Sequence, residues 1–138
     1  MKLAFLGAMK KRIARARILI IEDDSTMRQA IKLLLAPEGY AFDEAADGRE
    51  AREKLKSGRY EIIICDLFLP DTIGLDIFHR CRESHPTLVI TGFGDSDTAR
   101  RAKSEAGALY LEKPFTAAML KGKVALASGQ PKYRKEEK

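Results

Sequence analysis

Four short apolar runs in this 138-residue sequence end on residues that can handle a hard cation and a phosphate group. Arg17–Ile21 runs into Glu22-Asp23-Asp24, and Tyr60–Cys65 runs into Asp66. Leu88–Thr91 closes on a threonine ahead of Gly92, and Ala108–Leu111 runs into Glu112-Lys113-Pro114. Carboxylates crowded together repel one another, and they stay ionised at neutral pH only where a cation compensates. Their hard oxygens suit Mg²⁺, which takes a few carboxylates together with water and phosphate oxygens. A lysine meets a phosphoryl oxygen as a point charge, and a threonine hydroxyl can donate a hydrogen bond to another.

For these groups to meet, the runs must be neighbouring strands that point the same way. Arg17–Ile21 is β-branched and apolar, as a buried strand should be. Ser25 is placed to cap a helix with the stripe Met27, Ala30, Ile31, Leu34 and Leu35, ending near Pro37 and Gly39. Tyr40–Ala45 is a second strand, and Asp47-Gly48 opens a helix with Ala51 and Leu55 inward and Gly58 past its end. Tyr60–Cys65 is the strongest strand signal. A helix then spans about 75–84, with Leu75, Phe78 and Cys81 inward. Strand Leu88–Thr91, a charged helix 95–106 stopped by Gly107, strand Ala108–Leu111 and a helix 115–127 with Ala118, Met119 and Val124 inward complete the chain. Strands alternating with helices imply right-handed βαβ units: an α/β fold, doubly wound, with a five-stranded parallel sheet and helices on both faces. Ligands bind such sheets beyond the carboxyl ends of the strands, where the winding reverses.

Composition narrows the class. Hydrophobic residues are 45% and charged residues 33%, which fits a folded core and excludes a disordered or collagen-like chain. No apolar run reaches the roughly 20 residues of a spanning helix, and the basic residues follow Leu3–Met9 rather than precede it, so a cytoplasmic protein is expected. The net charge of +5 sits at the ends: residues 1–17 hold six basic side chains and no acid, while 18–131 is net acidic. The middle of the chain is therefore no nucleic-acid footprint. Cys65 and Cys81 form neither a disulfide framework nor a metal motif, and His79 and His85 fit a surface role. The divisions are a basic extension 1–16, one domain 17–127 and a charged tail 128–138. Three readings of the extension stay open: a helix of its own, a partner-docking segment, or the product of an upstream start codon.

Four motifs in order, ILIIEDD, IIICDLFLPDTIG, VITGF and YLEKPF, each at a strand end, make the chain resemble the receiver domain of a two-component response regulator over about residues 17–127. The resemblance implies a CheY-like, flavodoxin-like (βα)5 fold with Asp66 as phosphoacceptor. It implies Mg²⁺ held by Asp23, Asp24, Asp66 and the main-chain carbonyl of Phe68. Thr91 and Lys113 would bind the phosphoryl oxygens, Thr91 and Tyr110 would switch on activation, and the Lys113-Pro114 bond would be cis. The phosphoryl donor would be a histidine kinase or a histidine phosphotransfer protein. A downstream target would read the face at 95–127, with homodimerisation on phosphorylation an open alternative.

At two places the sequence departs from many relatives: Phe68 and Phe93, two residues beyond Asp66 and Thr91, put rings where small or polar groups are common. The two rings are expected to shield a phosphoryl group from water. Three other classes compete. A Mg²⁺-dependent haloacid-dehalogenase-like phosphatase needs its nucleophile after the first strand and a second aspartate two residues on; neither Glu22/Asp24 nor Asp23/Ser25 supplies that pair. A binding module that keeps the fold without phosphorylation is disfavoured by the complete acidic, threonine and lysine set. A transcription factor needs a DNA-binding domain, and only an eleven-residue tail follows Ala127. The expectation is a stand-alone phosphoacceptor that is not a multiple-turnover enzyme.

Overall fold

The computed structural model describes residues 16–72 and 74–128; residues 1–15 of the N-terminal extension and 129–138 of the C-terminal tail lie outside the described residues. Five strands alternate with five helices: β1 Arg17–Ile21, α1 Ser25–Leu35, β2 Ala41–Ala45, α2 Gly48–Ser57, β3 Ile62–Asp66, α3 Gly74–Arg82, β4 Thr87–Thr91, α4 Asp97–Ala106, β5 Tyr110–Glu112 and α5 Ala117–Ser128. The strands form one parallel sheet in the order β2-β1-β3-β4-β5. The winding reverses between β1 and β3, so the ends of those two strands, at Glu22 and Asp66, flank the switch point.

Alternating side chains of the strands feed opposite faces. Ile18, Ile20, Ile62 and Ile64 pack with Ile31 and Leu35 of α1 and with Leu120, Val124 and Ala127 of α5. Leu19, Ile21, Ile63 and Cys65 pack with Ala51 of α2 and with Ile77 and Cys81 of α3. Val89 and Tyr110 join Leu75, Phe78, Ala99 and Ala102, which seats α4 on the same side. Because both faces are covered, β1, β3 and β4 are buried almost throughout, and only their ends can present polar groups.

Three local expectations are corrected. Asp24, not Ser25, caps α1: its extended backbone lets the carboxylate accept from Thr26 N–H at 2.9 Å and from Met27 N–H at 3.3 Å. The last strand begins at Tyr110 rather than Ala108, because Gly107–Leu109 forms a 3₁₀ turn entered through Gly107 at φ +59°. In α5 the inward residues are Leu120, Val124 and Ala127, whereas Ala118 is exposed and Met119 is 48% exposed. Lys121 and Lys123 fall on nearly opposite sides of that helix among its apolar residues, so periodicity alone could not choose its buried face.

Packing gives a direct contrast. Ile20→Ala, at a fully buried position on β1, should cost about 3 kcal/mol. Leu33→Ala, at an exposed position on α1, should change stability by under about 0.5 kcal/mol. Urea denaturation of the two variants checks both values.

Candidate functional site

The end of β3 and the turn after β1 bring Asp66 against Glu22. Parallel pairing sets Ile21 opposite Cys65, so the next residues along the two strands emerge side by side. Glu22 and Asp66 are both buried, while Asp23 is exposed at the rim. One carboxylate oxygen from each of Glu22, Asp23 and Asp66 lies within 4.8 Å of the others. Asp24 is not in this cluster; its Oδ1 accepts both bonds of the α1 cap. The resemblance implies the pair Asp23/Asp24 beside Asp66, yet the structure brings together Glu22, Asp23 and Asp66. The overlooked signal was Glu22 itself, the first residue past the buried strand.

Lys113 supplies the compensating charge. Its backbone N–H donates to the Thr91 carbonyl at 2.9 Å, which carries the β5–α5 loop over the site. Its ammonium then donates to Glu22 Oε1 at 2.9 Å and to Asp66 Oδ2 at 3.0 Å. The Lys113-Pro114 peptide is cis. Burial works against the Lys113 charge, but the bonds and charges of Glu22 and Asp66 outweigh it and hold the ammonium above its ordinary pKa. Burial pushes the Glu22 carboxyl up to about 7, against the opposing bonds from Lys113 and from Asp24 N–H, and the nearby Asp66 charge pushes the same way. Three carboxylates against one ammonium leave negative charge uncompensated, and a donor set of hard oxygens at this spacing fits a divalent cation such as Mg²⁺.

The other expected residues surround this centre. Phe68 N–H donates to Asp66 Oδ1 at 3.0 Å, which fixes the second oxygen of that carboxylate. Thr91 is fully buried at the end of β4, and its Oγ1 accepts from Phe93 N–H at 3.1 Å, leaving the hydroxyl proton to be donated elsewhere. The Phe68 and Phe93 rings meet edge to face with centroids 5.2 Å apart, and Phe93 is 64% exposed. Tyr110 is turned inward and buried, with Lys103 Nζ 5.9 Å from its ring and its hydroxyl donating to Glu112 Oε2 at 3.4 Å. His79 pairs with Glu105 at 2.6 Å between α3 and α4.

The turn that carries Glu22 is braced from outside the site. Arg28 of α1 donates to the Glu22 carbonyl and also to Glu44 of β2, and Lys32 joins Glu44 at 2.6 Å. These bonds hold the Glu44 carboxyl below its ordinary pKa.

A doubly wound parallel sheet with an acidic cluster at its switch point, and a threonine and a lysine at the neighbouring strand ends, defines an open α/β domain whose polar groups gather beyond the carboxyl ends of its strands. Residues 18–125 match the response regulator receiver domain, and the chain belongs to that family. It is 35% identical over 111 residues to the transcriptional regulatory protein PmrA of Pectobacterium parmentieri, covering 78% of this chain and 50% of that protein. It is 39% identical over 103 residues to the transcriptional regulatory protein BasR of Escherichia coli, covering 72% and 46%. The chain thus spans about half the length of the curated relatives it matches. Among solved structures it resembles a response regulator receiver domain protein from Clostridium thermocellum, with TM-score 0.73, 31% identity and coverage of 86% of this chain and 98% of that one. The chemotaxis response regulator CheY4 of Vibrio cholerae gives TM-score 0.70, 28% identity and coverage of 81% and 98%. Among the described residues no helix is long and apolar enough to cross a membrane.

The raised carboxyl predicts a pH response of the cation-free protein. Between pH 4.5, the ordinary value for glutamate, and about 7, the folded state holds a proton on Glu22 that the unfolded chain has released. More protons are bound in the folded state there, so stability falls as pH rises through that window. Urea titrations in chelator at pH 5 and pH 7.5 should show this loss, and Glu22→Gln should flatten it.

Proposed function

We propose that this receiver domain accepts a phosphoryl group on Asp66 from a phosphohistidine of a histidine kinase or a histidine phosphotransfer protein, and passes the signal on by protein contacts. The observation that carries this reading is the Asp66 carboxylate itself. It is buried at the end of the central strand, held by Lys113 on one oxygen and by Phe68 N–H on the other, beside two further carboxylates.

In the transfer, an Asp66 oxygen forms a bond to phosphorus as the bond from phosphorus to the imidazole nitrogen breaks, and the imidazole leaves with that electron pair. Glu22, Asp23 and Asp66, with the main-chain carbonyl of Phe68, are the groups that would hold Mg²⁺; Asp24 is left to its helix. When bound, Mg²⁺ neutralises charge on the phosphoryl oxygens. Lys113, already beside Asp66, is placed to follow the new charge as a donor, and the Thr91 hydroxyl has its proton available for another phosphoryl oxygen. Attraction of Thr91 toward the acyl phosphate, followed by Tyr110, would alter the face at 95–127 where a target or a second copy binds. The domain is a phosphoacceptor that turns over its own phosphate rather than a multiple-turnover enzyme.

Intact mass after incubation with Mg²⁺ and acetyl phosphate tests the reading. A gain of one phosphoryl group is expected, absent in Asp66→Ala and absent with chelator; no gain from any small phosphodonor or phosphohistidine partner would favour a binding module on the same fold. The ring pair predicts the lifetime. Phe68→Asn removes one ring of the edge-to-face contact and brings a polar group to the mouth, so decay of the phosphorylated mass should quicken several-fold.

A further inference from the structure

Asp71 is exposed, yet both of its carboxylate oxygens are used. Oδ1 accepts from Gly48 N–H at 2.7 Å and Oδ2 accepts from Arg49 N–H at 3.0 Å, so a residue 23 positions along the chain closes the first turn of α2. These bonds pull the Asp71 carboxyl below its ordinary pKa, with Gly48 N–H the largest cause. The remaining amide of that turn, Glu50 N–H, is met by the helix's own cap, Asp47, at 2.8 Å. Two carboxylates therefore cap one helix, and they come from different places: Asp47 precedes the helix in sequence, whereas Asp71 belongs to the loop that leaves Asp66.

The described residues of that loop carry bonds of their own. Phe68 N–H returns to Asp66 Oδ1, and Leu69 N–H donates to the Thr72 carbonyl at 3.2 Å. Leu67 N–H ties the start of the loop to β4 at the Ile90 carbonyl, 3.1 Å, and Asp71 ties its middle to α2. The approach to α2 is close: a Cβ on Gly48 would lie 2.6 Å from Thr72 Cγ2 and 3.1 Å from Asp71 Oδ1. A side chain at Gly48 would push the loop away, so the glycine and the aspartate act as two halves of one fastening.

We propose that Asp71 is a positioning residue for Asp66: it staples the β3–α3 loop to α2 and so holds Phe68, and through the Phe68 amide the Asp66 carboxylate, in the geometry that phosphoryl transfer uses. The kinetic part of this proposal rests on Asp66 being the phosphoacceptor. Its physical basis is that a displacement of about 1 Å at a reacting group can cost one to two powers of ten in rate. A plain capping role would predict something different, namely a loss of helix stability shared equally with Asp47.

The test compares Asp71→Ala, Asp71→Asn and Asp47→Ala in the full chain. Amide hydrogen exchange without Mg²⁺ reads the loop directly: in Asp71→Ala, Phe68 and Leu69 should exchange about tenfold faster, and in Asp47→Ala they should keep the wild-type rate. Asp71→Asn has the same charge as Asp71→Ala but retains one carbonyl acceptor, so it should recover part of the protection. Phosphorylation by acetyl phosphate should slow about tenfold in Asp71→Ala, partly recover in Asp71→Asn and stay within about twofold of wild type in Asp47→Ala. Equal effects of Asp71→Ala and Asp47→Ala on loop exchange, or none from Asp71→Ala, would overturn the proposal. If the wild-type chain takes no phosphoryl group, the reading of Asp66 fails separately, and the exchange data still decide whether Asp71 holds the loop.

Discussion

The ammonium of Lys113 sits between the buried carboxylates of Glu22 and Asp66, bonded to both, and the site cannot be understood without it. Burying two carboxylates side by side is costly: each loses hydration and each repels the other. One lysine offsets part of that cost and leaves the rest, which is visible in the elevated Glu22 carboxyl. The residual negative charge is what a divalent cation would compensate. Delivery of the ammonium depends in turn on strand register, since the Lys113 backbone is hydrogen-bonded to Thr91 at the end of β4.

A parallel sheet covered on both faces makes this arrangement possible. The strand interiors take only apolar side chains, so polar chemistry is forced to the ends, and the reversal of winding between β1 and β3 separates the helices above two adjacent ends. Glu22 and Asp66 occupy that gap. Around it, each loop is tied to a different helix: Arg28 of α1 grips the Glu22 carbonyl, Asp24 closes α1, and Asp71 reaches α2. The acidic residues of the rim thus divide into those that face the centre and those that hold the loops. Side-chain type does not distinguish the two sets; partners do.

This division shows what was legible from the sequence. The runs RILII, YEIIIC and LVIT are apolar and β-branched for a reason that needs no neighbours, and they identify the buried strands and the polar residues at their ends. Asp66, Thr91 and Lys113 were legible because each lies at the end of such a run. The choice within Glu22-Asp23-Asp24 was not, since three adjacent carboxylates look alike until backbone direction brings one against Asp66 and assigns another to a helix cap. Likewise α5, with Lys121 and Lys123 on nearly opposite sides among its apolar residues, reveals its helix but not its buried face; Met119 looks outward, while Leu120 and Val124 join Ile18, Ile64 and Leu88 in the core.

By itself the sequence determined the alternation of strands and helices, the parallel sheet, the family resemblance and the strand-end residues, because periodicity and residue type are local properties. The tertiary structure alone decided that Glu22 joins Asp66 while Asp24 caps α1, that Lys113 bridges two carboxylates, and that Asp71 fastens the loop after Asp66 to α2. These are matters of distance between residues up to 91 positions apart, and distances of that kind are set by strand order and register rather than by any local pattern.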